Sequence, residues 1–154
     1  MRTCYELAMS FKKKIERELF EVVKEGILSY KGHVTKEFFS LALMRFLKDF
    51  DRVVRENYVL VHTEKGKIVG VVIFNVKAKV GKIVFLAVKR AWQKRGIASR
   101  LLQDAEKACK ALKARKMVFG AHAKSLGFYL ARGYAIIGKE KRLGTELFIL
   151  EKNF

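Results

Sequence analysis

The sequence predicts a mixed α/β layer domain, a sheet flanked by helices, and three observations lead there. Apolar residues in the first third recur at spacings of three and four. At Asn57 the texture changes to short β-rich runs. From there strand, helix, strand and helix follow one another and end in two further strands. The chain has 154 residues, which fit one domain over 1–154, divided into a helical segment at 1–56 and a sheet-and-helix segment at 57–154. With 51% hydrophobic and 31% charged residues the composition is that of a folded protein, which excludes a disordered chain.

The first helix is expected over Tyr5 to Val23, where Leu7, Phe11, Ile15, Leu19, Val22 and Val23 form one stripe with Lys and Glu between them. Gly26 and Gly32 bracket the break after it. Thr35 is the expected N-cap of a second helix carrying Phe38, Phe39, Ala42, Leu43, Phe46 and Leu47, with an end blurred by the charged stretch Asp49 to Glu56. Tyr58 to His62 and Ile68 to Phe74 read as strands joined by Thr63 to Lys67, a loop with Gly in hairpin position. After the polar stretch Lys77 to Gly81 comes Ile83 to Val88, continuously apolar as a strand covered on both faces should be. A helix follows over Ile97 to Leu112, with Ile97, Leu101, Leu102, Ala105, Ala108 and Cys109 on one side. Met117 to Ala121 is a buried strand, and 83–121 a right-handed crossover unit. Ser125 to Ala131 is a short helix ending near Gly133, and Tyr134 to Ile137 and Glu146 to Leu150 close as strands.

Charge is the compositional outlier. The formal net charge is +18, of which residues 1–56 supply +3 and residues 57–154 supply +15. Such a field favours anionic partners: nucleotide phosphates, nucleic acid or acidic protein surfaces. Cys4 and Cys109 lie far apart without ligand-like neighbours, and His33, His62 and His122 make no metal-ligand spacing, so two reduced thiols and no metal are expected. No apolar run approaches the ~20 residues that span a bilayer. The stretch after Met1 carries early charges and no apolar core before a small-residue cleavage site, so a cytoplasmic location is expected.

Chemistry concentrates at the junction Val88-Lys89-Arg90-Ala91-Trp92-Gln93-Lys94-Arg95-Gly96-Ile97-Ala98-Ser99-Arg100. Glycine and small residues at a helix start let a ligand approach the backbone closely. The first N–H groups of a helix have no intrahelical partner, and with the macrodipole they attract an anion. Lys89, Arg90, Lys94 and Arg95 add charge, so a pyrophosphate is the natural guest. Spacing alone supports a phosphate site at Gly96 and nothing finer.

The order of residues resembles the GNAT acetyltransferase superfamily. Its signature is Gln or Arg, two residues, Gly, any residue, then Gly or Ala, between a buried strand and a long helix. It stands here as Gln93-Lys94-Arg95-Gly96-Ile97-Ala98. Phe128-Tyr129-Leu130-Ala131-Arg132-Gly133-Tyr134 is similar to the family's Phe-Tyr, three residues, Gly, aromatic segment, and the resemblance spans roughly residues 57–152. It implies a central mixed, mostly antiparallel sheet with a splayed parallel pair, flanked by helices. It also implies an N-acetyltransferase that moves the acetyl group of acetyl-CoA directly to a primary amine.

Roles along this sequence follow from the same resemblance. Backbone groups of Leu86, Ala87 and Val88 would pair with the pantetheine arm, a form of strand addition. Amides of Lys94, Arg95, Gly96, Ile97, Ala98 and Ser99 would hold the pyrophosphate, and Gln93 belongs to the same cofactor-binding stretch. An N–H near Val88 would polarise the acetyl carbonyl. Tyr129 would protonate the departing thiolate while touching the cofactor. His122 stands where relatives often carry an Asn that contacts the cofactor arm, and Ser125 follows it in the same cofactor-binding stretch. Ile83 to Val88 lacks the Glu that some relatives use as a base, so proton removal is open to a bound water, His62, His122 or Glu146.

Residues 1–56 match least, with Arg2 to Tyr5 the only short candidate for an opening strand. The acceptor is therefore open among small amines, protein N-termini and lysine side chains, and the state between monomer and homodimer. Two other readings stand beside the enzyme. The Lys-rich stretch Lys107 to Lys116 is either the solvated face of a helix or the stripe of an RNA- or ribosome-binding module. The third reading is a sensor that binds acetyl-CoA without catalysis.

Overall fold

A computed structural model describes residues 4–154, with side chains described from Lys13 onward except that of Leu47. Two helices open it, α1 (Cys4–Leu28) and α2 (Lys36–Glu56). Strands β1 (Tyr58–Glu64), β2 (Lys67–Lys77) and β3 (Val80–Val88) follow, then a 3₁₀ turn at Arg90–Trp92 and helix α3 (Ile97–Ala111). Strand β4 (Lys116–His122), helix α4 (Ala123–Leu130), and strands β5 (Ala135–Arg142) and β6 (Thr145–Asn153) complete it. The six strands form one sheet in the order β1-β2-β3-β4-β6-β5, in which only β3 and β4 run parallel. This is the mixed, mostly antiparallel sheet that the sequence predicts.

Helix α1 buries Leu19, Val22, Val23 and Ile27 along the expected stripe, while Ile15 is 38% exposed. The side chains of Leu7, Phe11 and Cys4 lie outside the described residues, as does the start of the strand candidate at Arg2 to Tyr5; from Cys4 the backbone is helical. The helix does not break at Gly26 but continues to Leu28. A Cβ at Gly26 would stand 2.7 Å from the Ala87 Cβ and 2.9 Å from the Phe85 ring, so this glycine lets α1 lie against β3. Thr35 caps α2 as predicted, its Oγ1 accepting from Phe38 N–H at 3.2 Å. The charged end of α2 is helical through Glu56, with Arg52 3.7 Å from Asp49 and 3.9 Å from Glu56.

Three hairpins turn on pairs of left-handed residues: Lys65 and Gly66, Ala78 and Lys79, Leu143 and Gly144. Paired positive φ angles match the twist of the strands they join. The second turn has no Gly or Asn, so the stretch Lys77 to Gly81 reads as a polar connection when it holds a tight turn and two strand ends. Strand β3 accordingly begins at Val80 rather than Ile83.

The sheet is covered on both sides. Beneath α3 and α4 lie Val69, Val72, Phe74, Val88, Leu101, Leu102, Met117, Phe119 and Tyr129. Beneath α1 and α2 lie Leu19, Val22, Phe46, Ile68, Val71, Ile73 and Ala87. Val71, Val72 and Phe74 of the inner strand β2 are at most 1% exposed, and each such side chain contributes roughly 1.5–3 kcal/mol of burial.

The feature that positions the site is a failure of pairing. Strands β3 and β4 are joined only at Val80–Lys116 and Gly81–Met117. Beyond that β3 keeps β2 as its partner and β4 keeps β6. Register between β2 and β3 steps from Ile73–Phe85 to Phe74–Ile83, leaving Val84 as a bulge that bends β3. At the contact itself a Cβ on Gly81 would run into Met117 Sδ and Cys109 Sγ, so only glycine lets the strands meet before they part.

Glu106 of α3, 9% exposed, accepts from Tyr134 Oη at 2.9 Å and from Lys152 Nζ at 3.0 and 3.1 Å, which ties α3 to β6. Lys152→Ala leaves that carboxylate under-compensated. The expected loss is about 2 kcal/mol of stability, read as a lower urea midpoint at unchanged slope.

Candidate active site

Gly96 caps α3 at φ 79° and ψ 5°, with nothing within 4 Å of where a Cβ would stand. Lys94 is also left-handed, at φ 60°. The first intrahelical bond runs from Arg100 N–H to Gly96 O at 3.0 Å, so the amides of Ile97, Ala98 and Ser99 have no intrahelical acceptor. Arg132 lies beside them: its Nε donates to Ser99 Oγ at 3.1 Å and its Nη1 to Phe128 O at 2.7 Å. The guanidinium stacks 3.8 Å from the Phe128 ring centroid. These groups wall a pocket of about 290 Å³ that also takes in Val88, Trp92, Gln93 and Lys94. Helix dipole, three free amides and two cations suit this place to an anion.

The pocket adjoins the gap between β3 and β4. Lys89 N–H donates to Val69 O at 2.8 Å. In an antiparallel ladder every second residue faces the partner strand, so the amides of Leu86 and Val88 turn away from β2 towards the gap. The Val88 carbonyl is taken by Gln93 Nε2 at 3.0 Å, which closes the junction loop and leaves the Val88 N–H.

Tyr129 sits on α4 at 7% exposure, ringed by Phe119 at 4.9 Å, Phe128 at 5.0 Å and Tyr134 at 5.7 Å between centroids. Burial first, and the nearby Tyr30 phenol second, raise its pKa far above the ordinary phenol value, so its proton is present at neutral pH. Among the described residues none makes a hydrogen bond to its hydroxyl.

The other residues singled out in the sequence fall elsewhere. Leu86 packs under α3, whereas Ala87 is buried on the opposite face against Gly26. Arg95 stacks 4.7 Å from the Trp92 centroid outside the pocket lining. Ser125 Oγ donates back to His122 O at 3.2 Å. His62 meets Glu64 at 2.9 Å on β1, the edge strand, with β2 between it and β3. Glu146 is exposed on β6. His122 is 7% exposed and leans on Tyr30, ring centroids 4.4 Å apart at 70°. Both of its ring nitrogens are buried without a hydrogen-bond partner, a situation that costs roughly 1–3 kcal/mol per unmet group.

Arg132, Trp92 and Phe128 complete the pocket, and the sequence reading did not single them out as site residues. Arg132 had a signal: a cation inside the aromatic segment, one turn of helix beyond Phe128. Tyr30 and Glu25 had none. Glu25 Oε1 accepts from Arg90 N–H at 2.6 Å, a tie that exists only because α1 crosses β3 at Gly26. Among the described residues no group of three or more His, Cys, Asp or Glu could hold a metal ion, and no helix is long and apolar enough to cross a membrane.

With fold and site defined, comparison gives the class. The acetyltransferase (GNAT) domain family matches residues 21–145, and the chain belongs to that family. Among solved structures it is similar to a PaiA N-acetyltransferase from Thermoplasma acidophilum in complex with coenzyme A. That match has 21% identity and a TM-score of 0.72, over 90% of this chain and 92% of that one. A GCN5-related N-acetyltransferase from Rhodopseudomonas palustris superposes with TM-score 0.78 at 17% identity, over 90% and 89% of the two chains. A GNAT family acetyltransferase from Elizabethkingia anophelis with acetyl-CoA bound gives 0.58 at 19%, over 68% and 81%. At these identities the structural likeness speaks for the fold. No curated protein matches the chain.

Proposed function

We propose that the protein transfers an acetyl group from acetyl-CoA to a primary amine by direct attack, with residues 1–154 acting as one acetyltransferase domain. The observation that carries this is the gap between β3 and β4, opening beside an anion-binding helix start. Acetyl-CoA is the ligand named in the Elizabethkingia structure, and coenzyme A in the Thermoplasma one. Its chemistry here is that of a thioester acyl donor. The residues present fit it: open space at Gly96 admits a pyrophosphate to the amides of Ile97, Ala98 and Ser99, and Lys94 and Arg132 add charge. The outward amides of Leu86 and Val88 can pair with an extended arm, as an added strand would. Val88 N–H is the donor to the acyl oxygen, and Tyr129 the acid for the leaving sulfur.

Thermal denaturation tests the reading. Acetyl-CoA at 100 times its dissociation constant should add about 2.7 kcal/mol and raise the midpoint, whereas ATP at equal concentration should do less and a short RNA nothing. A salt-sensitive shift with RNA and none with acetyl-CoA would assign function to the exposed Lys107 and Lys110 of α3 and Lys113 just beyond it instead. Binding without thiol release on any amine would leave a sensor.

A further inference from the structure

We propose that His122 is the base that takes the proton from the acceptor amine. The inference rests on the acetyl-transfer reading and goes beyond it by naming the group that frees the attacking nitrogen. Its first support is the alternation of β4. Met117, Phe119 and Ala121 point under α3 and α4, with Tyr129 and the anion pocket. His122 points the other way, onto Tyr30, which in turn lies 6.5 Å from Phe85 between ring centroids. His122 thus stands at the end of β4 on the face away from the anion pocket, where β3 and β4 have parted.

The second support is the unmet hydrogen bonding of the ring. Among the described residues the two nitrogens of His122 are the buried side-chain N or O atoms without any partner. A structural histidine is ordinarily oriented by a carbonyl or carboxylate on one nitrogen; among the described residues this one has neither. Tyr30 covers it with a ring edge, and Lys124 Nζ donates to Ser29 O at 2.8 Å, holding α4 to the segment between α1 and α2. An incoming amine would reach the ring only once that segment moves aside.

The groups facing His122 keep it neutral. Burial has the largest effect, then Lys124 from α4 and His33 from the segment after α1, and all three lower its pKa from the usual imidazole value. Tyr30 is itself raised to about 12 by burial, so it is uncharged, and β6 contributes Leu147, the uncharged ladder partner. A neutral imidazole is the form that accepts a proton. On α1 the Glu25 carboxylate is engaged on Arg90 N–H, and on β6 Glu146, next to the ladder partner Leu147, alternates to the other face of the sheet.

The ammonium gives one proton to a His122 nitrogen, and the freed lone pair forms the C–N bond as the C–S bond breaks. Sulfur leaves with that electron pair and takes the Tyr129 proton. The second proton lost by the new amide nitrogen restores Tyr129 through solvent, and His122 releases its own to bulk water.

The test uses the whole chain, acetyl-CoA and four acceptors: spermidine, tyramine, a peptide with N-terminal alanine, and an N-blocked lysine peptide. Thiol release is followed from pH 5.5 to 10 with the acceptor turned over fastest. For the wild type kcat/KM should plateau near neutrality, because the base draws on the abundant ammonium form. In His122→Gln it should fall about 100-fold at pH 7 and then rise about tenfold per pH unit towards the amine's own pKa. Calorimetric affinity for acetyl-CoA should stay within about twofold. Profiles of the same shape in both proteins would overturn the base; a large loss of acetyl-CoA affinity would make His122 a cofactor contact instead. If His122→Gln does not fold, the wild-type profile decides, since a rise with no break near neutrality contradicts the proposal. No transfer to any of the four would sink the acetyl-transfer reading itself.

Discussion

Gly96→Glu is expected to weaken acetyl-CoA binding by about 100-fold, close to 2.7 kcal/mol, while leaving the protein folded. Two terms separate cleanly. The φ of 79° costs any L-side chain roughly 1–2 kcal/mol, but nothing lies within 4 Å of the new Cβ, so no clash adds to the strain. The carboxylate would stand at the positive end of α3, satisfy the free amides of Ile97 to Ser99 and repel the pyrophosphate. Gly96→Ala carries the strain without the charge, so it should lose some thermal stability and keep most of the affinity. Titration calorimetry on both variants reads the difference. Equal affinities for Gly96→Glu and wild type, in a folded protein, would remove Gly96 from the phosphate site.

Tyr129→Phe is expected to lower kcat by a hundredfold or more with little change in acetyl-CoA affinity. The ring is held by Phe119, Phe128 and Tyr134, contacts that phenylalanine keeps. Its hydroxyl anchors no hydrogen bond among the described residues, so its removal should cost stability little. A defect confined to turnover is therefore what a proton donor would show. A thiol-release assay beside a binding titration separates the two quantities; unchanged kcat would make Tyr129 a packing residue and leave solvent as the proton source.

Features fixed by neighbouring residues were legible in the sequence. Gly96 before Ile97-Ala98-Ser99 announces a helix start with exposed amides, and Thr35 announces a cap, because both effects act over a few residues. The gap between β3 and β4 was not readable from the residues alone; only the family resemblance implied it. It arises from the bulge at Val84 and from the contact of Gly81 with Met117 and Cys109, which the chain brings together from separate elements. Gly26 misled for the same reason: within α1 it looks like a helix breaker, and its purpose is visible only once Ala87 and Phe85 lie against it. The turn at Ala78 and Lys79 carries none of the usual turn residues, so β3 began earlier than expected. Tyr30 and His122 meet across most of the chain, and neither residue bears a mark of the other.

The cofactor is expected in the gap between β3 and β4 and not on the basic surface at the end of α3. Amide chemical-shift mapping on titrating acetyl-CoA tests it most directly. The largest changes are expected at Leu86, Val88 and the Ile97–Ser99 turn, with Lys107, Lys110 and Lys113 nearly still. Changes confined to those lysines, with Leu86 and Val88 unmoved, would contradict it.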